Sequence, residues 1–539
     1  MTFTIDRRSL LLSAGFGLGA LTFGNTAAIA QMMSAKGFTH NVASGEPGPD
    51  SVLLWTRFVP ADGGAAKVRV EVSDTSDFAK VISGGQMITG PWRDHTAKIT
   101  VDGLAPGKLY YYRFIGPDGS KSPTGKTKTL PVGLVKNFNV AIFSCSNLGF
   151  GTFAAYGHAA SRKDIDLVLH MGDYIYEYKR GGYDQEGAAG VLKIQPETEI
   201  LTLADYRLRY ASYRSDPLLQ AMHQNHAVIP NTDDHEGAND AWEGGAQNHQ
   251  AEKGEWNPRR AAAMQVWREW MPVGETPWKS YDIGSLGSYL RTDSRMIARS
   301  RPWSYEEVLG DKEPTKALAE FRDGTWLDPA ATMFGTEQES WIARAIRGSV
   351  RSGQKWQVVG SGTVMGKSYT PQNAESWLAP DASERAKKYM KLGMAAGKAK
   401  LPYNLDNWGG YPAARSRFLT TAQSAAANLI VVSGDSHNAW ANDLIEGGKP
   451  AGVEFGGHSV SSPGFESFTK VDPKTVARDL IEASPELRWA DTSNRGYMVL
   501  NLTPVMATNE YIFIGKGPSS VLGTKKLSVR LGRKTLEGV

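Results

Sequence analysis

Four short clusters gather the residue types that bind metal ions: Ser144-Cys145-Ser146-Asn147, Gly172-Asp173-Tyr174-Ile175-Tyr176, Asp233-Asp234-His235-Glu236 and Gly434-Asp435-Ser436-His437. Each follows an apolar run of strand length: Phe138 to Phe143, Asp166 to Met171, Ala227 to Pro230 and Leu429 to Val432. Taken singly, an Asp-His pair after a strand is more often a hydrogen-bonded loop anchor than a ligand, and a single cysteine is more often a buried thiol. Four such clusters, each after a strand, resist that explanation. Cys145 is also the only cysteine of the chain, and it sits at a strand end.

A carboxylate that bridges two cations must be held rigidly, and Asp173 has the strand-end position for it. Tyr176, three residues on, can reach the same ion, and a phenolate beside a thiolate favours ferric iron among the common metals. A multi-cation site of this kind clamps phosphate oxygens, lowers the pKa of a bound water and stabilises charge as an ester oxygen leaves. The chemistry expected from the residues themselves is therefore hydrolysis by metal-activated water.

The elements that must position these clusters fall into two textures. From Phe38 to about Leu130 the sequence gives short β-runs between turn residues, such as Val52 to Trp55, Val68 to Val72, Ala97 to Val101 and Tyr110 to Phe114. That pattern predicts a small β-sandwich of fibronectin III or Ig-like type over residues 38–130. Leu104-Ala105-Pro106-Gly107, just before the tyrosine run, looks like a strand junction of such a domain. After Pro131, β-runs (Trp356 to Val359 among them) alternate with helical segments such as Arg259 to Trp270 and Glu337 to Arg351, which predicts an α/β layered domain over 135–520. In such sheets ligands gather at the carboxyl ends of strands. Segments 180–200, 236–260 and 366–410 lack periodicity and are expected to be long loops over the site.

With 41% hydrophobic and 22% charged residues and a formal charge of +4, the composition is that of a globular protein and argues against a nucleic-acid-specific partner. Asp6-Arg7-Arg8-Ser9, the apolar stretch Leu10 to Phe23 and Ala28-Ile29-Ala30 form a twin-arginine signal peptide pattern over residues 1–30. The expected location is the periplasm or the exterior, reached through the twin-arginine export machinery, with no stable membrane span. A lone cysteine excludes an internal disulfide, so its thiol needs burial or a metal.

The order and spacing of the four clusters resemble the calcineurin-like metallophosphoesterases, and Gly-Asp-x-x-Tyr resembles the purple acid phosphatase block. The wording of the whole chain is similar to the PhoD family. Further similar stretches are His40 to Pro47 with Leu54-Trp55-Thr56-Arg57, Tyr210 to Pro217, Trp408 to Pro412 with Arg415, Ser462-Pro463-Gly464 and Arg495-Gly496-Tyr497. The resemblance implies an alkaline phosphatase or phosphodiesterase built as a metallophosphoesterase layered β-sandwich flanked by helices. It implies Fe3+ on Cys145, Asp173, Tyr176 and His437, and one or two Ca2+ on Asp234, Asp435 and Asn239, with Asp173 bridging. His235 would position phosphate or protonate the leaving group, Glu236 would orient a ligand, and Asn147 would donate to a phosphate oxygen or support the ligand shell. Ser146, Thr232 and the extra His458 depart from the family pattern and bear on the pocket. A phospholipase D-like enzyme acting on lipid or polymer diesters is the alternative within the class. A non-enzymatic binding protein with structural metals is the alternative outside it.

Overall fold

The computed structural model describes residues 35–183 and 194–539. The signal-peptide pattern of residues 1–30 and part of the expected 180–200 loop lie outside the described residues. Among the described residues no helix is long and apolar enough to cross a membrane.

The N-terminal β-runs form seven strands: β1 Gly37–Gly45, β2 Val52–Val59, β3 Ala66–Ser73, β4 Ser83–Thr89, β5 Thr96–Val101, β6 Leu109–Ile115 and β7 Gly125–Lys128. They make a sandwich, with β4-β3-β6-β7 on one side and β1-β2-β5 on the other. Its core is closed by Val42, Leu54, Val68, Val70, Ile99, Tyr112 and Phe114. Tyr110 Oη accepts the Ala105 N–H at 2.7 Å, the tyrosine corner that pins a sandwich strand to its preceding turn.

The α/β portion contributes β8 Phe138–Phe143, β9 Leu167–His170 and β10 Ala227–Pro230 to one sheet. A second sheet takes β11 Lys279–Ile283, β12 Gly287–Arg291, β13 Trp356–Ser361, β14 Leu429–Ser433, β15 Ala439–Glu446, β16 Lys449–Gly456 and β17 Leu487–Asp491. The chain then returns to the first sheet as β18 Gly496–Leu502, β19 Met506–Ile514 and β20 Val521–Arg530. The first sheet runs β20-β19-β18-β8-β9-β10-β1-β2-β5 and the second β11-β12-β13-β14-β16-β15-β17.

Side-chain alternation at period two dictates the layers. Val140, Ile142, Leu167, Leu169 and Ile229 face Val358, Ile430 and Val432 of the other sheet in one dry layer. Their neighbours Ala141, Phe143, Val168 and Val228 face outward against the helices Leu203–Arg214 and Trp256–Trp270. On the far side Val359, Leu429 and Val431 meet the helices Gly335–Arg351 and Pro412–Ser424. The result is a helix–sheet–sheet–helix stack, as expected for the fold class. One local expectation fails: the 366–410 segment holds the 15-residue helix Glu384–Lys398.

The N-terminal strands are joined to the α/β layers by backbone hydrogen bonds, because β1 pairs in parallel with β10 through Ser44↔Ala227 and Gly45↔Val228. Gly45 is required there: a Cβ would lie 2.0 Å from Pro272 O and 2.7 Å from Val228 O. The next residue, Glu46, reaches into the second sheet, with Oε1 2.9 Å from Arg291 Nη1 and Oε2 2.8 Å from Lys279 Nζ. Burial opposes the charged carboxylate, but Arg291 and Lys279 outweigh it and hold the Glu46 carboxyl below its ordinary value. Glu46→Ala leaves the Arg291 guanidinium buried and unpaired, a loss of about 3 kcal/mol measurable by urea unfolding. Because the folded pKa is depressed, this contribution is present above the unfolded value of 4.5 and fades as the pH falls below it. Wild type and variant should therefore differ at pH 7 and converge in acid.

Candidate metal centre

Every expected cluster lies where a strand of the parallel core ends. β8 runs out into Cys145, β9 into Asp173, β10 into Asp234 and β14 into Asp435 and His437. The backbone there is strained. Cys145, Asp173, Asp435 and His437 have φ of 58°, 54°, 67° and 60°, a left-handed region in which a non-glycine residue costs roughly 1 kcal/mol or more. Gly172, at φ 101°, lets two of these loops touch: a Cβ there would sit 2.3 Å from Asp233 N.

Glu236 holds those two loops in register. Its carboxylate accepts the N–H groups of Asp173 at 3.1 Å, Tyr174 at 2.7 Å and Asp233 at 2.7 Å. The β8 loop is tied on by Cys145 N to Gly172 O at 3.2 Å and Ser146 N to Asp173 O at 2.9 Å. Ser462 Oγ donates to Tyr176 Oη at 2.7 Å and lies 3.0 Å from Cys145 O.

Two groups of ligand atoms share Asp173. Cys145, Asp173 and His437 offer atoms within 4.8 Å of one another, and so do Asp173, Asp233, Asp234 and Asp435. Tyr176 Oη donates to Asp173 Oδ2 at 3.2 Å and lies 3.1 Å from His437 Nε2, so the phenol belongs to the first group. His437 Nδ1 lies 2.8 Å from Pro463 O, an acceptor only, which puts the ring proton on Nδ1 and leaves the Nε2 lone pair facing the centre. His235 Nδ1 is held 2.7 Å from Glu177 Oε2, while Glu177 Oε1 receives Asn239 N at 2.8 Å and Asn248 Nδ2 at 2.9 Å. The Asn239 amide group itself engages Gln247 at 3.2 Å. Asn147 accepts Gly149 N at 2.9 Å and has a buried Nδ2 without a hydrogen-bond partner.

Burial pushes the Asp173 carboxyl well above its ordinary range; His235 opposes this and Asp234 and Asp233 reinforce it. Burial likewise raises Asp435 to about 6 and Glu236 to about 7. It raises the Cys145 thiol, with Asp173 adding to the effect, and lowers His437 to about 3. Burial alone would discharge His235, but Asp234, Glu177 and Asp173 outweigh it and raise its pKa. Asp234 goes the other way: burial resists its charge, yet His235 and Arg295 hold its carboxyl low. Asp234 Oδ1 is buried without a hydrogen-bond partner. Acids crowded this tightly, with a thiol, a phenol and an imidazole lone pair converging on them, are a donor set that fits bound cations.

Several participants escaped sequence reasoning. Arg295 is fully buried, with Nε 2.6 Å from Asp233 Oδ1 and Nη2 3.6 Å from Asp435 Oδ2, and it also pairs with Asp406. Arg299 holds Asp406 from the other side at 2.7 Å. Asp240 joins Asp234 and Asp406 in a further acidic group. The rule that located the four clusters applies to Arg295 too, since it lies in the polar run after β12. The departures from the family pattern have structural roles: Ser146 Oγ meets Tyr174 O at 3.1 Å and Thr232 Oγ1 meets Asp293 Oδ2 at 3.1 Å. His458 is a core residue bound to Ile512 O at 3.1 Å.

The comparisons with known proteins agree with this geometry. The family model of the PhoD-like phosphatases matches residues 140–511, and that of their N-terminal domain matches residues 24–131. Alkaline phosphatase D of Bacillus subtilis (strain 168) is 32% identical, over 93% of this chain and 83% of its own length. A solved structure of PhoD superposes with a TM-score of 0.74 at 28% identity, covering 94% of this chain and 92% of that one. The purple acid phosphatase PPD1 from yellow lupin shares the fold, with a TM-score of 0.54 at 14% identity over 91% of this chain and 74% of that one. The chain therefore belongs to the PhoD-like phosphatase family and is a metal-dependent phosphoesterase.

Proposed function

We propose that the protein is an exported alkaline phosphatase or phosphodiesterase that holds Fe3+ on Cys145, Asp173, Tyr176 and His437 and one or two Ca2+ on Asp234, Asp435 and Asn239. The observation that carries this is Asp173, whose carboxylate lies within 4.8 Å of ligand atoms both in the group with Cys145 and His437 and in the group with Asp234 and Asp435. Thiolate, phenolate and imidazole are the softer donors and the aspartates the hard ones, which supports the division between the two metals. The twin-arginine pattern of residues 1–30 supports export of a protein that has already folded around its metals. Within this reading residues 38–130 are a scaffold and residues 135–520 carry the chemistry.

Bound cations supply Lewis acidity toward the phosphoryl group and acidify water. The chain's own part is placement. Glu177 fixes the His235 imidazole through Nδ1, and among the described residues Nε2 makes no hydrogen bond, so it is free for a phosphate or leaving-group oxygen. The orphaned Nδ2 of Asn147 is a donor that a phosphate oxygen would satisfy. Arg295, locked by carboxylates, keeps Asp233 in place.

Metal analysis with a visible spectrum tests the metal assignment: a charge-transfer band that disappears in Tyr176→Phe is expected, and a colourless, zinc-only, fully active enzyme would contradict it. Asp173→Asn should abolish hydrolysis of both p-nitrophenyl phosphate and its bis ester, with loss of bound metal. The relative rates of the wild type on those two compounds separate a monoesterase from a diesterase. Glu177→Gln, which replaces the carboxylate paired with His235 by a neutral amide and leaves the proposed iron ligands in place, should lower kcat about 10–100-fold at unchanged iron content. Loss of iron in that variant would make Glu177 a support of the metals instead.

A further inference from the structure

The polypeptide beyond Tyr176 returns to the metal centre. A turn closes with Gly182 N to Lys179 O at 2.9 Å, Gly181 takes φ 73°, and Tyr183 itself adopts φ 61°. A left-handed tyrosine is strained, and such strain persists where the surroundings use the side chain.

The Tyr183 ring is clamped between aromatic neighbours: Tyr178 at 5.1 Å, Phe150 at 5.8 Å and Tyr176 at 5.9 Å. It meets the rings of both His235 and His437 edge-on, at 6.3 and 6.2 Å. Its hydroxyl lies 3.4 Å from His437 Nδ1. That nitrogen carries its proton toward Pro463 O at 2.8 Å, so it cannot accept a proton from the phenol. Among the described residues no other acceptor takes the Tyr183 O–H. A held hydroxyl with an uncommitted proton thus stands beside one of the ligands expected for iron and beside the histidine assigned to substrate.

We propose that Tyr183 is a further catalytic residue, a neutral donor whose hydroxyl hydrogen-bonds a phosphoryl oxygen of the bound ester. This rests on the phosphoesterase reading above. The substrate oxygen supplies the acceptor that the protein withholds, and no bond to hydrogen breaks in the step. The strained turn keeps the ring in place before substrate arrives, so little ordering is required on binding.

The test is Tyr183→Phe, which keeps the ring packing and removes only the hydroxyl. A single neutral hydrogen bond gained in the transition state is worth about tenfold, so kcat on p-nitrophenyl phosphate or its bis ester should fall by about that factor or more. Inorganic phosphate, titrated calorimetrically into the metal-loaded protein, should bind several-fold more weakly. Metal content and the visible spectrum should match the wild type. Unchanged turnover and unchanged phosphate affinity in an active background would overturn the assignment. A shifted or lost charge-transfer band would also overturn it, because Tyr183 would then be a metal ligand. A wild-type protein that hydrolyses neither ester defeats the phosphoesterase reading itself, a result separate from anything the variant does.

Discussion

The structure depends on an excess of buried negative charge. Asp173, Asp233, Asp234, Glu177 and Glu236 are buried together beside the half-buried Asp435, and Arg295 is the guanidinium that lies among the aspartates. Carboxylates removed from water must be paired, hydrogen-bonded or protonated. Glu236 is answered by three backbone N–H groups and Glu177 by His235, Asn239 and Asn248. Asp233 is answered by Arg295. Asp234 Oδ1 has no hydrogen-bond partner, Asp173 meets only the Tyr176 hydroxyl and the His235 N–H, neither of them a counter-charge, and both aspartates belong to the candidate metal-binding groups. Protein donors and counter-charges therefore satisfy the frame, and the remaining carboxylates form a donor set that fits cations.

That frame spans both sheets. Cys145, Asp173 and Asp234 leave strands of the first sheet, whereas Asp435 and His437 leave β14 of the second. Ligand-to-ligand distances thus depend on how the two sheets pack, which the dry layer of Ile142, Leu169, Ile229, Ile430 and Val432 determines. The N-terminal strands act on the same geometry. They extend the first sheet through β1 and reach the second through Glu46, so they brace the angle between the layers as well as capping an edge.

The core layers were legible in the sequence because alternation at period two is local and the apolar runs end in polar clusters. The candidate ligand clusters were legible for the same reason, each following its own strand. What stayed hidden is what distant segments decide. Arg295 looks like an ordinary basic residue until the second sheet packs on the first and its guanidinium, carried on the run after β12, meets Asp233 after β10. Asp406 comes from a stretch without periodicity. The helix Glu384–Lys398 contains Gly393 and Gly397, each unfavourable by about 1 kcal/mol in a helix interior. At both positions the chain packs onto Thr370, and a Cβ on Gly397 would lie 2.3 Å from Thr370 O. The glycines that hide the helix in the sequence are the ones its packing requires.

The rings that pack against His235 and His437 are phenols: Tyr176 and Tyr183 against both, Tyr178 against His235. The excess of negative charge explains why phenols suit that position. A lysine or arginine there would neutralise the aspartates permanently and weaken their hold on metal ions, as Arg295 does for Asp233. A neutral hydroxyl donates a hydrogen bond to an anion without cancelling that field. The same aspartates that call for cations thus suit an uncharged donor such as the proposed Tyr183 hydroxyl, and the aromatic packing keeps its ring in place without adding charge.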